Sequence, residues 1–458
     1  MKFLKSGSAR ALVLEGNLDA IKCGTAETYL GAFGIFLGGT PLQIGALATL
    51  PALVGSLAQT IGTRLVDQCK SRKGSLSLLM KLQGALWLPM ACIPFLFDRG
   101  WYAVSTLIAL AVLYQITIGI IAPVWNSLVG DIVPQEVRGE FFGYRNKGIS
   151  IAVFIAVVVG GQLIHLCSGW QRPEYGFAIA FALAAAARWC AGQVFTRVDD
   201  PPLHVPEESK FTFWQFISRA RHSNFVKFVI FVSSMNFAVA LSGPYFAMYM
   251  LNDLGLTYLE YTCVVAAAVL VQFVVMRSWG ALSDQFGNRK ILRICGWLVA
   301  FNPWMWLLSD HFAFLILIQV YSGFFWSGFN LAAANFVFDA VTPAKRARCI
   351  AYQAIINGAL VFIGSLLGGL LAMYVPDTLN QPLSLFVTSS PFLVLFVLSG
   401  VLRIMVMALL YPAFREVRSV QRIKGHELLV RVTTLRPLWG ATYAYLSQRR
   451  SLRDRLGR

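Results

Sequence analysis

Four ionisable residues crowd one otherwise apolar stretch near the start of the chain: Glu15, Asp19, Lys22 and Glu27. The first three stand at i, i+4 and i+7, so a helix places them on one face, with Glu27 at a different angle and deeper. Carboxylates held beside a single ammonium in a low-dielectric setting can bind and release a proton or hold a cationic group. Ionisable groups in such a place are expensive unless they pair or meet water. Asp19, Lys22 and Glu27 are therefore expected to face a cavity as a coupling or binding site. Glu15 is expected to sit at the headgroup level, outside that site.

Weaker polar signals recur further on. Gln115 and Asn126 are eleven residues apart and share a helical stripe. Gln319 and Asn330 repeat that spacing, with Trp326 between them on the same face. Amides on one stripe of a buried helix either bond a neighbouring helix or line a wet cavity, and the recurrence favours the cavity. Asn236, Tyr245 and Tyr249 mark another segment, where Gly243-Pro244 predicts a kink.

Two short charged turns also occur twice. Asp284, Gly287, Arg289 and Lys290 follow one apolar run, and Asp67, Arg72 and Lys73 lie 217 residues earlier at the same spacing. Asp131 with Pro134, Arg138 and Gly139 is answered 208 residues later by Asp339 with Pro343, Arg346 and Arg348. Two different turns recurring in the same order indicate a duplicated unit.

The elements that must position these residues follow from composition. The chain of 458 residues is 57% hydrophobic and 13% charged, with a mean hydropathy of +0.62. That much apolar surface requires the bilayer as solvent. Apolar runs fall near 11–38, 41–63, 74–97, 101–130, 141–166 and 174–196, then near 225–251, 256–280, 290–309, 312–338, 347–375 and 384–411. Each spans ~30 Å of hydrocarbon as a helix. The expected fold is an all-α polytopic membrane protein with 12 transmembrane helices in two six-helix pseudo-repeats. Its expected parts are an N-terminal bundle (1–196), a polar linker (197–224) with a short helix near 211–219, a C-terminal bundle (225–411) and a basic tail (412–458).

The net charge of +17 is distributed unevenly. With the N-terminus inside, only Arg99 and Arg172 fall in outside loops, and Lys22 and Arg403 fall within spans. The remaining Lys and Arg cluster at the inner face, which places both termini in the cytoplasm. The charge thus reads as membrane topology, and no nucleic-acid partner is expected. In the tail, Arg415, Arg418 and Arg422 suit one helix face, and Trp439, Tyr443 and Tyr445 suit an interface with anionic lipid.

These features resemble the major facilitator superfamily over about residues 10 to 411. Its signature after the second helix of each half is matched in full by Gly280, Asp284, Gly287, Arg289 and Lys290. In the first copy Gly62 is one residue out of register, and Lys70 stands where a glycine belongs. The resemblance implies two bundles related by an axis along the membrane normal, rocking about a midplane site. Spans 1, 4, 7 and 10 would line the cavity, and they carry Asp19, Lys22, Glu27, Gln115, Asn126, Tyr245, Gln319, Trp326 and Asn330. The repeated turns would form a cytoplasmic gate of Asp67, Arg72, Asp131, Arg138, Asp284, Gly287, Arg289, Lys290, Asp339, Arg346 and Arg348.

The expected function is secondary active transport of a small solute across the inner or plasma membrane by a monomer, with a proton as coupling ion. The alternative is a transporter-like receptor or scaffold that binds a ligand without moving it. No phosphate-cradling loop, H-E-x-x-H or G-x-S-x-G motif occurs, so neither ATP-driven transport nor catalysis is expected. The 8 Cys form no C-x-x-C pair, and no metal or cofactor is expected.

Overall fold

The computed structural model describes residues 6–68, 71–134, 137–201, 223–341, 343–374, 381–384 and 387–418; side chains 63–68, 138–140, 343–348 and 381 lie outside the description. The linker helix expected near 211–219 and most of the tail also lie outside it.

Fifteen α-helices are described, and they build twelve spans. The first set comprises α1 (Gly7–Thr25), α2 (Leu30–Phe36), α3 (Pro41–Gln68), α4 (Arg72–Ala85), α5 (Trp87–Leu96), α6 (Trp101–Ile132), α7 (Arg138–Gly169) and α8 (Pro173–Phe195). The second comprises α9 (Asn224–Ala240), α10 (Tyr245–Met248), α11 (Tyr258–Phe286), α12 (Asn288–Met305), α13 (Phe312–Ala340), α14 (Pro343–Tyr374) and α15 (Leu393–Leu409). The pairs α1/α2, α4/α5 and α9/α10 each form one broken span. Ten helical stretches are long and apolar enough to cross a membrane on composition alone. The first span, diluted by its charges, and α12, which opens on Arg289-Lys290, complete the twelve.

Local chemistry sets the helix starts. Ser6, Ser71 and Ser223 accept the backbone N–H three residues on, and Thr257 with Glu260 forms a reciprocal capping box. The last span begins at Leu393 and not near 384, because the Ser390 hydroxyl binds Asp253 and accepts the N–H of Phe392, holding the preceding chain as a loop.

The corresponding first spans of the two sets are both interrupted. Helix α1 ends at Thr25, Ala26 leaves helical geometry, and Glu27–Tyr29 forms a 3₁₀ turn before α2. Helix α9 ends at Ala240 and restarts at Tyr245, so the kink expected at Gly243-Pro244 is a complete break, followed by a π turn at Tyr249–Asp253. Such interruptions free backbone groups at membrane depth and are tolerated where protein or a wet cavity surrounds them.

Both described ends of the chain, and both sides of the linker, lie at one end of the helices, termed here the linker face; the opposite end is the far face. The two sets are joined toward the far face along two seams. Along α3–α14, Gly45 faces Ser365, whose hydroxyl donates to the Gly45 carbonyl at 2.9 Å, and Gly369 faces Leu42. Along α7–α11, Gly161 lies against Thr262, and the Tyr29 hydroxyl donates to Val157 O at 2.6 Å while lying 3.0 Å from Thr262 Oγ1. Glycine permits these approaches: a Cβ at Gly161 would come within 2.1 Å of Thr262 Oγ1.

Candidate functional site: an ion chain at the first helix break

The polar centre of the first set runs along α1. Lys22 Nζ lies 3.0 Å from Asp19 Oδ1 and 2.9 Å from Glu27 Oε1. Tyr114 of α6 donates its hydroxyl to Glu27, and its ring centroid lies 5.4 Å from the Lys22 ammonium. From α8, Arg188 Nη1 reaches Asp19 at 2.8 Å and Glu15 at 3.5 Å, while its Nε donates to Gln83 of α4 at 2.5 Å. From α7, Arg145 donates to Glu15 at 3.0 Å and to Leu12 O at 3.0 Å. Three carboxylates and three cations alternate, so the chain is neutral as a whole. That balance lets six charges occupy a membrane bundle.

Exposure within this chain is unequal. The cations are buried, with 3% of the Lys22 side chain and 5% of the Arg188 side chain accessible. Asp19 and Glu27 keep 33% and 30% of theirs. The open face of the chain is therefore carboxylate, with ammonium and guanidinium groups behind it. Glu15 departs from expectation. It is buried and held by two arginines, because α7 and α8 each turn a cation toward α1 at that level.

At the linker face the two repeated turns are built differently. Arg72 is buried, and its Nη1 donates to Asp131 at 2.7 Å and Ser127 at 2.9 Å. In the second set Asn288, one residue before Arg289, donates to Asp339 at 2.7 Å. Arg289 turns instead onto the rings of Tyr411 and Phe414, at 4.6 and 5.7 Å. Arg418 lies 3.7 Å from Asp284 and 3.9 Å from Asp339. Each turn is also clamped by the chain leaving its own bundle. Asp200 accepts from the Ser71 hydroxyl at 2.8 Å and Lys73 N at 3.3 Å, while Glu416 accepts from Arg289 N at 2.7 Å. The two exit carboxylates lie 216 residues apart, one short of the offset between the turns.

Comparison with known proteins settles the family. The sequence profile of the Major Facilitator Superfamily matches residues 25–242 and again 226–448. The chain belongs to the major facilitator superfamily. Its fold is that of the nucleoside transporter NupG (a mutant form; TM-score 0.67, 14% identity, 89% of this chain and 100% of that one). It is also that of a bacterial homolog of the human lysosomal transporter Spinster in an inward-facing, occupied conformation (0.64, 15%, 88% and 96%). A D-xylose-proton symporter is similar to the same degree (0.64, 12%, 91% and 98%). In sequence, the quinolone resistance protein NorA of Staphylococcus aureus (strain MRSA252) is 30% identical over 124 residues. That match covers 27% of this chain and 31% of NorA, about a third of its length.

Among the candidate residues of this superfamily member, the fold brings together Asp19, Lys22 and Glu27. Gln115 is half-buried next to Tyr114, with its backbone against Gly55 of α3, and Asn126 is exposed on α6. Gln319 is half-buried, Asn330 is exposed, and Trp326 packs on Phe329 at 5.5 Å. Tyr245 is fully buried at the far-face seam: its hydroxyl donates to Ser365 O, and its ring stacks on Phe392. Asn236 donates to Asn357 of α14 at 2.6 Å. The side chains of Asp67, Arg138, Arg346 and Arg348 lie outside the described ones. Gly287 adopts φ +89° between α11 and α12, a region that favours glycine. The helix face expected for Arg415, Arg418 and Arg422 is not formed through Arg418, where the chain leaves helix after Ala413 to reach the signature turn. Arg422 lies outside the described residues.

Sequence reasoning missed Tyr114, Arg145, Arg188 and Gln83. Counting cations by position grouped both arginines with the inner face, although each sits about two turns inside its helix. Opposite charges on neighbouring spans were the available signal: three acids on the first span leave room for more than Lys22. The recurrence of Asp200 and Glu416 near the repeat offset would have revealed the exit clamps.

Proposed function

We propose that the chain is a secondary transporter that moves a small solute across the cell membrane by alternating access and draws on a proton gradient. The observation that supports this most is the neutral ion chain at the break in the first span. There Glu27 stands at a helix interruption, shares Lys22 with Asp19, and is the carboxylate to which Tyr114 donates. Protonating Glu27 removes one negative charge from a chain that is balanced without it. The resulting excess cation must be met by rearrangement of Lys22 or by a solute anion. Loading and release of that proton are thereby tied to the position of α2 and α6 around it.

The linker face carries the excess of Lys and Arg, so it is assigned to the cytoplasm together with both termini. The far-face seams then close the external side, and the carboxylates are reached from within. The repeated turns, with Arg72–Asp131 in one set and Asp284, Asp339 and Arg418 in the other, are assigned to the cytoplasmic gate of a monomer. Among the similar structures, one protein moves a sugar with a proton and another moves nucleosides. What they share with this chain is the fold, so the solute is sought by assay.

The test uses purified protein in vesicles with an imposed pH gradient and a panel of labelled pentoses, nucleosides and quinolones. Wild type is expected to accumulate or expel one of these. Glu27→Gln is expected to abolish gradient-driven movement while leaving solute exchange. Gradient-driven movement by Glu27→Gln at the wild-type level would exclude Glu27 as the coupling group.

A further inference from the structure

Between α7 and α11, toward the linker face from the Gly161–Thr262 contact, a cleft of about 250 Å³ opens on the side of the molecule. Its walls are Ile149, Val153 and Phe154 on one helix and Val269, Leu270 and Phe273 on the other, with Ser150 and Gln272 the polar members of the lining. The other seam is different. There α3 meets α14 from Leu42 opposite Gly369 to Leu53 and Ser56 opposite Gly358. At 1.5 Å per residue that contact runs roughly 20 Å along α3. One flank of the joint is thus sealed past mid-depth, while the other opens soon after the far face.

The depth of the cleft follows from helix register. Helices α1 and α7 run side by side, with Asn17 against Gly148 and Gly24 against Ala156. Ser150 and Val153 are therefore level with Asp19 and Lys22. The cleft and the ion chain lie at one height on opposite sides of α7, about one helix diameter, ~10 Å, apart. The exposed charge at that height is the pair Asp19 and Glu27, with the cations buried behind them.

We propose that the α7–α11 cleft receives the apolar arm of an amphiphilic cation that enters sideways from the bilayer, its charged head turned to Asp19 and Glu27. This deepens the transporter reading and rests on it. Size and chemistry both support the assignment. Pockets for whole drug-sized ligands occupy roughly 300–1,000 Å³, so the cleft holds part of a solute and leaves the head for the carboxylates. The walls are apolar at membrane depth, and Ile151, Leu270, Phe273 and Met276 are exposed there, which makes the approach continuous with lipid. A head about 10 Å from its arm is within reach of a single alkyl chain.

The experiment uses the full chain in lipid nanodiscs and a quaternary ammonium probe with a photoactivatable diazirine on a dodecyl chain. Adducts are mapped by mass spectrometry. Adducts are expected on peptides containing 149–154 and 269–276, reduced at least tenfold by excess dodecyltrimethylammonium and unaffected by tetramethylammonium. Met276→Trp, which fills the cleft from an exposed position, is expected to abolish the competed adducts without changing thermal melting. Adducts spread over all lipid-facing helices, adducts on the α3–α14 seam, adducts that are not competed, or full labelling of Met276→Trp would overturn the assignment. Labelling requires no flux, so its failure is separable from that of the transporter reading. Competed labelling in a protein that moves no panel solute would retain the cleft and remove the pump.

Discussion

Replacing Lys22 by Met would leave Asp19 and Glu27 without their shared cation inside the first bundle. Removing one member of a buried pair typically costs about 3–5 kcal/mol. Lys22→Met is therefore expected to lower the melting temperature markedly, whereas Lys22→Met with Glu27→Gln recovers part of the loss. Equal melting of single and double variants would mean that the two groups are not coupled. Tyr114→Phe is milder. It removes one charge-assisted hydrogen bond, worth roughly 1.5–3 kcal/mol, and is expected to shift the pH dependence of solute movement while the fold persists. An unchanged pH profile would remove Tyr114 from the coupling site. Asp19, Lys22 and Glu27 were legible in the sequence because charge within an apolar run stands out. Tyr114 was hidden one position from Gln115, since a tyrosine in a membrane helix looks like any aromatic filler until Glu27 is placed beside it. Glu15 was misjudged because its partners come from α7 and α8, and sequence distance carries no trace of them.

Spans are the scale at which sequence reading succeeds. Twelve apolar runs became twelve spans, because the length of a run is fixed by the thickness it must cross. The interruption of α1 at Ala26 was not legible: no proline marks it, and the close approach of Gly24 to α7 belongs to the tertiary fold. The seams make a prediction of their own. A side chain at Gly45 would begin 2.3 Å from the Tyr245 hydroxyl and 3.0 Å from the Ser365 carbonyl, with little room to relax. Gly45→Val is expected to disfavour the arrangement closed at the far face and to raise labelling of a cysteine placed at position 42 by an impermeant reagent. Labelling identical to the wild-type background would show that the seam yields locally. At the other end of the helices, Asp200→Asn and Glu416→Gln each weaken a helix-start contact, worth about 0.5–2 kcal/mol. Both variants are expected to melt a few degrees lower.

At the scale of the molecule, the duplicated plan was readable from its turns, and the fold follows it even where chemistry has diverged. Arg72 grips Asp131 in the first half, whereas Asn288 and Arg418 share Asp339 in the second. A charge at the gate can thus be supplied from a different position as long as the carboxylate is met. The exit clamps have a further result. Each bundle fastens its last stretch of chain to its own third span, through Asp200 in one case and Glu416 in the other, so neither borrows the linker to finish its fold. The covalent connection then serves mainly to keep two finished modules at high local concentration. A gene cut within the codons for 205–220 and expressed as two separate pieces is expected to yield fragments that co-purify and restore solute movement. Asp200→Asn should lower the recovered yield further in the cut protein than in the intact one.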